Sequence, residues 1–119
     1  MPSVVHYEIP ADDVERAQKF YGEIFGWKIT DEHNMGYFFV DSKGEHGIGG
    51  GIMKRMMPEQ TTVIYMEVDS VDSYTAKVQE HGGQVIVPKT AIPGFGWFAV
   101  CMDTENNAFG LHQEDKEAK

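Results

Sequence analysis

Apolar and polar residues alternate over positions 4–9, with Val5, Tyr7 and Ile9 on one side and His6 and Glu8 on the other. That period of two predicts a strand with one buried face. Pro10 is expected to end it. Asp12 or Asp13 offers a helix cap, and Val14, Ala17, Tyr21 and Ile24 recur at helical spacing until Gly26 stops the run. Residues 27–31 and 36–41 read as two strands about a polar turn at Glu32, His33 and Asn34, and residues 48–53 as a fourth strand weakened by its glycines. Residues 54–60, with Pro58, read as a linker and the expected place for a mobile loop.

The same order then starts again. Residues 62–68 alternate as a strand, Ser70 caps a helix carrying Val71, Tyr74 and Val78 on one side, and Gly82 and Gly83 end it. A short strand over 84–87, a turn over 92–96, a strand over 97–102 and a last strand over 108–113 follow, and the charged tail is expected to fray. A shift of about 57 positions lays Asp12 on Asp69, Val14 on Val71 and Gly26 on Gly83, and one of about 60 lays the run from Gly36 on that from Gly96 and Gly50 on Gly110. The pattern predicts an α+β chain of two tandem βαβββ modules, 3–53 and 61–113, joined by the linker 54–60 and followed by the tail 114–119. They form one domain, a curved, cup-shaped mixed sheet with helices on its outer face. His6, Glu8, Val63, Tyr65 and Glu67 are then expected to face into the cup.

Composition narrows the classes of partner. Of 119 residues, 41% are apolar, enough for a core, and 19 acidic against 10 basic side chains give a formal charge of -9. Such a surface repels phosphate backbones and anionic membranes, so neither nucleic acid nor membrane is an expected partner. The lone cysteine, Cys101, sits in an apolar run and reads as a small core residue. No basic segment leads into a long apolar run near the N-terminus, so a cytoplasmic protein is the expectation.

The run HYEIPADDVERAQKFYGEIFGW, the strand and helix of residues 63–83, and the closing GWFAVCMDTENNAFGLHQ together resemble the vicinal oxygen chelate superfamily. It includes glyoxalase I, extradiol dioxygenases, methylmalonyl-CoA epimerase and the bleomycin-resistance proteins. The resemblance covers about residues 4–113 and implies paired βαβββ modules around a small-molecule site, commonly in a homodimer. In the metal-dependent members, four His, Gln or carboxylate ligands stand on the first and last strands of each module, a donor set suited to a divalent ion with open positions. Carried over, those places fall at His6, near Gly50, near Val63 and at Gly110, and three of them lack a coordinating side chain. A single imidazole does not hold a divalent ion against water, so no metal and no cofactor are expected.

Two small-molecule functions remain open, beside a third reading as a structural or regulatory partner domain that uses its sheet edge and methionine cluster. One is a glyoxalase- or bleomycin-resistance-like protein that binds a small organic molecule without metal, through His6, Glu8, Tyr65, Glu67, Trp97 and His112. The other is a glyoxalase-like lyase or isomerase acting on a small carbonyl compound by proton transfer, with His6 and Glu8 as catalytic candidates. His6 reads equally as a polar residue satisfied within the cup. A shifted metal site from His6, Glu8, Glu67 and His112 is a further alternative, with His46 a weaker candidate. Most of Tyr37, Phe38, Trp97 and Phe98 are expected to be structural, and Met53, Met56 and Met57 to pack a core or an interface.

Overall fold

Ten elements follow the chain in a computed structural model, which describes residues 2–31, 36–42, 44 and 47–119. The first copy holds β1 (Ser3–Ala11), α1 (Val14–Phe25), β2 (Lys28–Thr30), β3 (Tyr37–Asp41) and β4 (Gly50–Lys54). The second holds β5 (Val63–Glu67), α2 (Val71–Glu80), β6 (Gln84–Ile92), β7 (Gly96–Met102) and β8 (Ala108–Glu114). The fold is α+β, built from two βαβββ modules. The chain divides into two compact units, His6–Thr62 and residues 1–5 with Val63–Lys119.

In the first unit the strand order is β2-β3-β4-β1, with β1 parallel to β4 and the other neighbours antiparallel. Asp13 caps α1 by accepting a bond from the Arg16 amide at 3.0 Å, and Gly26 closes the helix with φ 69, a left-handed conformation that suits glycine. The stripe Val14, Ala17 and Tyr21 then packs on Ala11, Ile29, Val40 and Ile52. Tyr21 and Trp27 stack at 5.5 Å, and Tyr7 lies tilted against Trp27 at 6.2 Å. Burial, with the neighbouring Tyr21 adding to it, pushes the Tyr7 phenol above its ordinary range. Ile52 is fully buried, which contributes roughly 2 kcal/mol.

The other unit repeats the plan with the order β5-β8-β7-β6. Ser70 caps α2 through the Ser73 amide at 3.1 Å, and Val68, Val71, Ala99, Cys101 and Leu111 form the core under that helix. Cys101 is wholly buried there, and burial pushes its thiol up.

Several expected boundaries move. Pro10 does not end β1, which runs on to Ala11: proline removes a donor but keeps its carbonyl, and Pro10 O accepts from Arg55 Nη2 at 3.4 Å. The expected short strand at 84–87 continues through Pro88 to Ile92, because β6 lies at the end of its sheet and tolerates the register shifts at Val87. The tail does not fray. Its Asp115 amide bonds to Phe95 O at 3.0 Å, the Ala118 carbonyl accepts from Gly94 N at 3.0 Å, and Ala118 is buried.

The linker is likewise organised. Arg55 bonds to Asp12 Oδ1 at 3.0 Å through Nε and to the Gln60 carbonyl through Nη1. The Gln60 side chain in turn accepts from the Met56 amide at 2.7 Å. The turn at Glu32, His33 and Asn34, and His46, lie outside the described residues.

Candidate functional site

Register decides which side chains share a face. β1 and β4 pair Tyr7 with Gly50, Glu8 with Gly51 and Ile9 with Ile52. Tyr7, Ile9 and Ile52 belong to the core under α1, so His6, Glu8 and Gly51 stand on the face away from that helix. β3 adds Tyr37 and Phe39 to this face, since Phe39 pairs with Gly51 and Tyr37 with Met53.

On that face three polar side chains join into one chain. The Tyr37 hydroxyl donates to Glu8 Oε2 at 2.9 Å, and His6 Nε2 lies 2.7 Å from the same hydroxyl. A hydroxyl has one proton. With that proton given to Glu8, Tyr37 Oη accepts from His6, which fixes the histidine proton on Nε2. The sequence explains the reach: Gly51 has no side chain, and the Tyr37 ring lies where its Cβ would be. The His6 and Tyr37 rings are nearly parallel at 6.4 Å, and Phe39 meets Tyr37 edge-on at 5.0 Å. The result is a half-buried aromatic surface with a carboxylate and an imidazole set into it.

The register also corrects the alignment of the two copies. The glycine beside Glu8 is Gly51, not Gly50. By face, Tyr37 corresponds to Phe98 rather than to Trp97. Isolated glycine and aromatic matches do not fix a register whose faces alternate at every residue.

The remaining candidates lie in the other unit. The Tyr65 ring covers Gly110, its β8 partner, and Glu67 pairs with His112 on the same face. Trp97 is on the opposite face, packed on the core under α2. Its indole N–H donates to Asp115 Oδ2 at 3.0 Å, and Lys89 Nζ lies 4.7 Å from its ring. That indole bond, with the Glu117 amide as a second donor, holds the Asp115 carboxyl below the ordinary carboxylate range. The structure therefore joins His6 and Glu8 through Tyr37, a residue whose role sequence reasoning left among structural aromatics. Its parity with the gap at Gly51 was the available signal.

Comparison with known proteins turns these features into a family assignment. Residues 3–41 match the family described as Bleomycin resistance protein-like N-terminal. A glyoxylase-like domain-containing protein of Didymella fabae is 32% identical over 117 residues, covering 87% of this chain and 88% of that protein. The chain belongs to the glyoxalase and bleomycin-resistance superfamily. A second relative, the anthracycline biosynthesis protein DnrV of Streptomyces peucetius, is 30% identical over 123 residues. This chain spans 44% of that protein's length. A solved glyoxalase/bleomycin resistance protein/dioxygenase superfamily member from Vibrio splendidus has the same fold, with TM-score 0.70, 12% identity and coverage of 97% and 100% of the two chains.

The superfamily's divalent ion requires donors that the described residues do not supply at the places the resemblance assigns to ligands. On β4 the positions sharing the His6 face are Gly51 and Met53, on β5 the corresponding place is Val63, and on β8 it is Gly110. The one imidazole in the set has its Nε2 engaged by Tyr37. No group of three or more His, Cys, Asp or Glu side chains able to hold an ion occurs among the described residues. The residues do not fit the ion.

Proposed function

We propose that this superfamily member binds a compact organic molecule against the His6–Tyr37–Glu8 face without the family's metal. The observation that carries the reading is the hydroxyl of Tyr37 shared between an imidazole and a carboxylate within a half-buried aromatic surface. Such a surface supplies flat apolar contact, and its few fixed polar groups supply orientation.

The test is calorimetric titration of a panel of planar aromatic and amine-bearing compounds into the wild type and Tyr37→Phe. Removing the shared hydroxyl should weaken binding about tenfold, near 1.4 kcal/mol, while the ring and its packing remain. Equal affinity for both proteins would remove the relay from the site. Elemental analysis after chelator-free purification bears on the metal: a stoichiometric transition ion, lost in His6→Ala, would overturn the metal-free reading.

The same geometry favours one second reading. As His6 Nδ1 takes a proton from a small carbonyl compound, Nε2 can release its own to Tyr37 Oη while Tyr37 gives its proton to Glu8 Oε2, so the relay can serve a lyase or isomerase that later returns the proton by the reverse path. Turnover of a hemithioacetal that disappears in His6→Ala would decide for that activity.

A further inference from the structure

The second unit contains a cavity unconnected with the relay. α2 packs chiefly over β6, β7 and β8, and β5 lies beyond its edge. The gap is a shallow groove of about 380 Å³, within the range of small-molecule sites. Its floor is Met66 of β5 and Val68 just after it, with Phe109 and Leu111 of β8, and its wall is Tyr74 and Val78 of α2. These side chains are almost wholly apolar, so water in the groove gains little and an apolar chain would displace it favourably.

The rim carries the opposite character. Lys77 and His81 both border the groove. Lys77 Nζ lies 4.4 Å from the Tyr74 ring centroid, and among the described residues neither salt bridge involves it. His81 Nδ1 donates to the Lys77 carbonyl at 2.8 Å, which holds the ring at the rim. In a chain of formal charge -9, an ammonium that no salt bridge among the described residues pairs stands at the rim of an apolar groove. An aliphatic tail would lie along Met66, Val78 and Leu111, and an anionic head would reach the Lys77 ammonium.

We propose that this groove is a second binding site, for an apolar carboxylate, independent of the His6–Tyr37–Glu8 face. The probe is decanoate, titrated into protein carrying 13C-labelled methionine methyl groups and followed by NMR, with decanol as the uncharged comparison. The Met66 methyl should shift saturably with decanoate, while those of Met56 and Met57, in the linker, stay in place. Lys77→Gln should weaken decanoate at least fivefold and leave decanol unchanged. Lys77→Arg should keep decanoate bound. Tyr37→Phe should leave decanoate binding unaltered, which separates this site from the function proposed above. The proposal is overturned if Met66 does not respond, if decanol binds as tightly as decanoate, if Lys77→Gln has no effect, or if Tyr37→Phe abolishes the response.

Discussion

At the scale of single residues, two adjacent glycines have opposite duties. A Cβ at Gly51 would fall on the Tyr37 ring and one at Gly50 on the Tyr7 ring, on opposite faces of β4. Gly51→Ala should therefore push Tyr37 off the relay and reproduce the weakened ligand binding of Tyr37→Phe. Gly50→Ala should disturb Tyr7 in the core and cost roughly 1–3 kcal/mol, as overpacking does, with the relay intact. Chemical denaturation and ligand titration of the two variants, side by side, distinguish these outcomes. If Gly51→Ala binds as the wild type does, the close fit of Tyr37 over the glycine is irrelevant to binding. His6 and Glu8 could be placed on one face from the alternation of β1 alone. Tyr37 could not be joined to them, because its approach depends on a long-range register and on the emptiness at Gly51, neither of which linear spacing records.

Whole elements show where local signals suffice. Both helices begin where a cap is expected, at Asp13, one of the two aspartates offered, and at Ser70, because a side-chain acceptor near the first free amides is a short-range requirement. The tail failed as a local reading: six mostly charged residues look unfit for packing, yet Asp115 finds the indole of Trp97 across the sheet. The Asp115 carboxyl is held below its ordinary value, so the bond's contribution is fully present above the unfolded carboxylate pKa of about 3.9 and is lost as pH falls through the lower folded value. The Trp97 indole proton should accordingly move in an NMR titration below pH ~4 in the wild type. Asp115→Asn should abolish that movement. A wild-type resonance that stays fixed down to acid unfolding would show that the carboxylate does not control the clasp.

For the molecule as a whole, duplication of βαβββ was legible from the order of elements, whereas the pairing of its faces was not. Order survives small changes in loop length; parity reverses with each inserted residue. Association is a property of this scale too. The homodimer implied by the superfamily resemblance needs an apolar surface, and α1 offers one in Phe20, Ile24 and Phe25, which are 56%, 57% and 58% exposed. Phe20→Asp is expected to convert a dimer to a monomer in sedimentation velocity at unchanged thermal stability. A dimer that persists would assign the contact to another surface. No helix among the described residues is long and apolar enough to cross a membrane, so this exposed stripe is not part of a spanning helix.

Arg55 has a consequence for how the duplicated chain could be taken apart. Its guanidinium gathers Asp12, Pro10 and Gln60, and its amide bonds to the Ala11 carbonyl at 2.8 Å, so these partners lie in the first copy or in the linker itself. The seam between the repeats is thus stitched to its upstream side. A break introduced after Thr62 leaves those stitches whole, whereas one placed at Met53 hands the guanidinium to the wrong fragment and strips the end of β1 of its knot.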